Sequence, residues 1–82
     1  MSPARCKVCV QAPKPEGGFD LPVEVWAQLI PLDRHKVLIR VPRFVEPYSG
    51  WQVINYGRAY RVESVIPYGP DQWELRCWRL GN

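Results

Sequence analysis

Nine prolines, at 3, 13, 15, 22, 31, 42, 47, 67 and 70, constrain this 82-residue chain more than any other feature. Proline fixes φ and lacks an N–H, so it breaks helix interiors and avoids the middle of a sheet. No stretch between the prolines carries a helical period with caps. Short β-branched and aromatic runs alternate instead with Pro/Gly punctuation, the pattern of strands and turns. We read six strands, over 5–11, 23–30, 35–41, 51–56, 59–66 and 72–80. Val37, Ile39 and Val41 point one way, and Lys36, Leu38 and Arg40 the other. Residues 12–21 form a long N-terminal loop, 31–34 a tight connection and 42–50 a second loop. Gly57-Arg58 turns one hairpin and 67–71 the next. Only 20–26 leaves room for a short helix. The expectation is an all-β chain, a small antiparallel β-barrel of about six strands, one domain over 1–82. Closure would remove the exposed edges that six strands otherwise present. Val25, Val37, Ile39, Val53, Tyr60, Val62, Leu75 and Cys77 should form the core.

The chain has no apolar run long enough for a spanning helix, which needs roughly 20 residues. Arg5 and Lys7 come early without an apolar segment behind them, so no secretory leader is expected. With 46% hydrophobic and 23% charged residues the chain is not disordered by composition. Four Trp, four Tyr and two Phe can fill a dense core. A domain this small is marginal alone, so partner subunits are expected to add stability. The net charge of +3 is mild and its eleven cations are scattered along the sequence, unlike a concentrated basic stripe.

Three cysteines without a leader read as free thiols. Cys6 and Cys9 could join Cys77 and His35 in a zinc site. Their spacing of three places them on opposite faces of a strand, however, and Cys77 already has an inward place. No metal and no cofactor are expected. Catalysis has little basis. His35 is the lone histidine, and neither Ser2, Ser49 nor Ser64 lies in a nucleophile elbow. The acids Glu24, Glu63 and Glu74 occupy outward strand positions. No enzyme is expected. A different class of reading is a small nucleic-acid-binding barrel of the oligonucleotide-binding kind. There bases would stack on Trp51, Tyr56, Tyr60 and Trp73 beside Arg61. That fold expects a helix between its third and fourth strands, which residues 42–50 with two prolines cannot supply.

From residue 23 onward the chain resembles the head–tail joining proteins of tailed phages, also called head-closure or stopper proteins. The resemblance is carried by Val25-Trp-Ala-Gln-Leu-Ile-Pro-Leu32 and His35-Lys-Val-Leu-Ile-Arg40. It continues through Trp51-Gln-Val-Ile-Asn-Tyr-Gly-Arg-Ala-Tyr-Arg-Val-Glu-Ser-Val65 and Glu74-Leu-Arg-Cys-Trp78. Each piece is ordinary β-sequence, and their order and spacing carry the likeness. The resemblance implies a virion structural protein, made in the host cytoplasm and placed in the virion neck. It implies a homo-oligomeric ring, a hexamer in the family, between a portal or adaptor ring and the tail terminator or other tail proteins. Packaged DNA would occupy the lumen, and no membrane is involved. Relatives carry a long insertion between the second and third of these strands, which in some reaches into the channel. Here only Asp33 and Arg34 separate Leu32 from His35.

Two sets of contact residues follow from these readings. Trp26 and Trp78 lie opposite the best apolar sets. With Ile30 and Leu80 they would form an exposed patch of the kind that marks an interface. Arg76 and Arg79, with Glu24 and Glu74, would rim it. With the channel insertion missing, two other loops are candidates for a neighbouring ring or the DNA channel. Lys14, Gly17 and Gly18 make 12–20 the mobile candidate. Arg43 and Tyr48, stiffened by Pro42 and Pro47, make 42–50 the fixed one.

Overall fold

The computed structural model describes residues 5–80. Ser2 lies outside them. Six strands are present: β1 (Arg5–Gln11), β2 (Val23–Pro31), β3 (Lys36–Pro42), β4 (Gln52–Asn55), β5 (Arg58–Tyr68) and β6 (Gln72–Arg79). All neighbours are antiparallel, in the order β1-β2-β3-β6-β5-β4, and β1 pairs with β4 to close the barrel. Hairpins join β1 to β2, β2 to β3, and β4 through β5 to β6. Residues 43–51 cross one mouth of the barrel and bring β4 beside β1, leaving β3 against β6. This is a Greek key. The window at 20–26 holds no helix; it is loop and the start of β2.

The alternation read from sequence sets the inner face. All eight expected core residues are buried, joined by Val8, Val10, Ala27, Val41 and Val45. Most of these are β-branched, a shape that suits the pleated wall of a narrow barrel. Ile39, Val41, Val53 and Leu75 have no exposed surface at all. Val23 shares the phase of Val25 but stands at the mouth and is half exposed.

Two local features differ from the straight-strand expectation. In β5 the register shifts between Val62, opposite Cys77, and Ser64, opposite Arg76. A bulge at Glu63 moves the inward position from residue 64 to Val65, which packs on the core, while Ile66 is exposed. Bulges bend and twist a strand, which closure requires. The β4–β5 turn is centred on Tyr56-Gly57, one residue earlier than Gly57-Arg58. Asn55 pairs with Arg58, and both central residues have positive φ, 50° at Tyr56 and 78° at Gly57. This is the I′ geometry that matches strand twist.

Antiparallel pairing sorts the connections between two ends. The β1–β2, β3–β4 and β5–β6 connections share one end, here the loop end. The β2–β3 and β4–β5 turns, the start of β1 and the end of β6 share the other, the turn end.

Two measurements check this account. Ile39→Ala should cost on the order of 2–5 kcal/mol, and an unchanged denaturation midpoint would show that the strand phase is wrong. Tyr56 is exposed and left-handed, a conformation Asn tolerates far better. Tyr56→Asn should therefore raise the thermal midpoint, by a gain of about 1 kcal/mol.

Candidate interaction surfaces

Side chains fill the barrel interior, so any recognition chemistry belongs to its outer wall and its two ends. The thiols are divided accordingly. Cys6 faces the core, Cys9 lies on the outer face and Cys77 is buried among Val37 and Val62. Among the described residues no group of three His, Cys, Asp or Glu side chains is placed to hold a metal ion. Burial pushes the Cys77 thiol from 9.0 up to about 12. His35 is exposed in the β2–β3 turn, whereas Ser49 lies at the loop end, on the far side of the barrel. Asp33 does not orient the imidazole. Its carboxylate accepts the backbone N–H of His35 at 2.7 Å and of Lys36 at 2.9 Å, which holds its pKa below the usual value.

Five aromatic rings are approached by cations, two of them on the outer wall by a cation of the adjoining strand. Lys7 stands opposite Trp26 and its Nζ lies 5.3 Å from the ring centre; Lys36 stands opposite Trp78 at 4.5 Å. Arg40 covers Tyr68 at 3.8 Å, Arg43 covers Trp73 at 4.4 Å and Arg61 approaches Phe19 at 5.7 Å.

Both outward tryptophans are exposed, Trp26 at 56% and Trp78 at 40%. They do not form one patch with Ile30 and Leu80, as the sequence suggested. Trp78 pairs with Lys36 at the start of β3. Gln28 pairs with Arg40, so Trp26, two residues along, lies beside Pro42 at the other end of β3. Six strand residues separate these levels, about 20 Å at the usual rise. Ile30, half-buried, falls between them in a row with Leu38 and Arg76. Arg79 follows Trp78 at the turn end, its N–H donating to the His35 carbonyl beside Lys36. The wall thus holds two separate aromatic sites. The Trp26 site includes a residue that the sequence reading missed: Phe44, 75% exposed, shares a hollow with Trp26, Arg40 and Gln72. Its only sequence signal was a large apolar residue in a proline-bounded loop, which is common.

The two loops are more tied down than their composition suggests. In 12–20, Asp20 N–H donates to the Ala12 carbonyl and Lys14 N–H to that of Gly18, with a bridge between Pro13 and Phe19. The segment is a hairpin arm extending β1 and β2, and Gly17 and Gly18 serve its left-handed turn positions. Arg43 is committed within the protein. Its Nε donates to the Gln72 carbonyl, its Nη2 to that of Gly69 and its backbone N–H to that of Asp71. It fastens the crossing loop onto the β5–β6 turn, while Val45 plugs the mouth below. Tyr48 is exposed and meets Trp51 edge to face, with ring centres 6.4 Å apart.

The five residues named for base stacking do not share a surface. Tyr60 is inside the barrel at 7% exposure, Tyr56 tips the turn end, and Trp73 lies under Arg43 near the loop end. Trp51 is half-buried, packed against the core, and Arg61 is exposed on β5. No family model matches the chain, and no curated protein matches it.

The division of thiols has a measurable consequence. A thiol whose pKa is raised in the folded state stabilises the fold below about 9, and that contribution fades as pH climbs toward 12. At mildly alkaline pH, iodoacetamide should therefore label half-buried Cys6 and Cys9 well before Cys77. Peptide mass mapping showing Cys77 modified as fast as Cys9 in the folded protein would contradict its placement.

Proposed function

We propose that this barrel is a structural subunit of a tailed-phage neck, a head–tail connector without catalysis. Copies would join side by side in a homo-oligomeric ring, a hexamer by the resemblance. The ring would stand between a portal or adaptor ring and the tail proteins, around packaged DNA.

One observation carries the reading. The four stretches that resemble head-closure proteins occupy β2, β3, the β4–β5 hairpin and β6 in turn, one structural unit per stretch. Those strands are contiguous in the barrel, so the likeness spans five of the six staves of one sheet. The wall supports the same reading. A ring contact is heterologous, and two different surfaces of each subunit must meet. Trp26 with Phe44, and Trp78 with Lys36, are two such surfaces, well separated on the wall. Arg76, exposed between them, is available to pair across a contact. The short Asp33-Arg34 connection leaves β2–β3 without a channel-reaching insertion. Sealing the lumen would then fall to other parts of the ring.

Light scattering on the purified chain tests the ring. The expected mass is a discrete multiple of 9.5 kDa, and a strict monomer at every concentration would sink the proposal. Trp78→Ala should weaken this assembly more than it lowers the monomer's melting temperature, because buried interface Trp residues are frequent hot spots. The reverse ranking would assign Trp78 to the stability of the barrel alone.

A further inference from the structure

The mild net charge conceals a polar molecule. Glu16, Asp20, Glu24, Glu46, Asp71 and Glu74 all lie in or next to the loop-end connections, six of the eight acids in the chain. The turn end holds the opposite set. Arg34 lies in the β2–β3 turn, Lys36 opens β3, Arg58 opens β5 and Arg79 closes β6, whereas Arg5 lines the Trp26 hollow. Asp33 is the one carboxylate of that group among the described residues; two backbone N–H groups bond its Oδ1, and it keeps its charge. The cations are far apart in sequence, and the β3–β6 and β5–β6 pairings gather them.

They also converge. Arg34, Lys36, Arg58 and Arg79 line a single cleft of about 130 Å³, together with Asp33, His35 and Tyr60, so four cations face one carboxylate there. That volume accepts a tetrahedral oxyanion. Three of the four cations are arginines, whose planar forks match phosphate oxygens two at a time. Beside Arg58 the turn tip carries Tyr56, 87% exposed, a ring available to a base or sugar. The loop end, which carries Lys14 and Arg43, is the wrong place for a polyanion. Glu24 is paired with Lys7 at 3.2 Å and Glu74 with Arg40 at 4.0 Å, but Glu16, Asp20, Glu46 and Asp71 remain to repel phosphate, and Arg43 is already spent on carbonyls.

We infer that the turn end of the barrel is a phosphate-binding surface for a nucleic-acid backbone, built by Arg34, Lys36, Arg58 and Arg79. Contacts of this kind position a protein on a duplex without reading its sequence. A continuous row of phosphates suits a cluster of cations around a cleft, whereas an acidic protein would need carboxylates placed to match it. The inference goes beyond the ring and applies to the monomer as well.

The test is fluorescence anisotropy of the full chain with a labelled random-sequence DNA duplex, over about 50 to 200 mM salt. The double substitution Arg34→Gln with Arg58→Gln should weaken binding about tenfold and reduce the slope of log affinity against log salt by about two. Arg34→Lys with Arg58→Lys should keep most of both. Ser49→Asp with Pro70→Asp lowers the net charge equally at the loop end and should leave binding close to that of the unaltered chain. Absence of duplex binding, or an equal loss in the loop-end variant, would overturn the assignment. So would competition by polyglutamate as strong as that by unlabelled duplex. Light scattering run alongside separates the two proposals. A ring that ignores DNA refutes only the phosphate surface, and a monomer that binds it through the turn end refutes only the ring. Mass growth at low salt that the Gln variant abolishes, without duplex binding, would give the turn end to a second copy instead.

Discussion

Three residue pairs hold the barrel shut. Cys9 with Ile54, Val10 with Val53 and Gln11 with Gln52 form the whole β1–β4 seam. The Gln52 amide reaches across it to the Gln11 side-chain oxygen at 3.1 Å. Without this short ladder both edge strands would be open to pairing with other chains. Val10 and Val53, both essentially without exposed surface, would also lose their cover. A domain of 82 residues has little stability in reserve, so so short a seam also explains why added contacts between subunits would matter.

The packed interior sends function outward, and the outer wall is organised by a repeated solution to one problem. Large rings on a solvent-facing strand are a liability unless something covers them. Here a cation from the adjacent strand does so, as Lys7 does for Trp26 and Lys36 for Trp78. Such pairs leave the rings partly open while keeping them soluble, a state compatible with later burial at an interface. The crossing loop shows the other use of a cation. Arg43 spends its donors on carbonyls of the β5–β6 turn and its flat face on Trp73, and so is structural.

Much of this was legible from residue order. Strict alternation gave the strand phase, so Ile39 and Leu75 could be placed inside and Trp26 and Trp78 outside. Opposite facing of Cys6 and Cys9 followed from the same period of two. The candidate site was less legible. Trp26 and Trp78 were readable as exposed but not as distant, because distance depends on the register of β2, β3 and β6. Arg43 was named as a contact residue, yet its partners lie 26 and 29 positions away in sequence. Arg34 and Arg58 read in the sequence as scattered charge, since nothing local distinguishes a solvated arginine from one lining a shared cleft.

Residue order alone carries what is local: the exclusion of helices by proline, the hairpins marked by Gly and Pro, and the inner and outer face of each strand. Steric limits on φ and the two-residue period act within a few residues, so they can be read in order along the chain. Which strands meet is a matter of long-range packing. The β1–β4 and β3–β6 pairings, the bulge at Glu63 and the end-to-end separation of charge all join residues far apart in the chain. Any two alternating strands can pair in several registers. Only the simultaneous filling of one narrow interior, with every edge closed, selects among them.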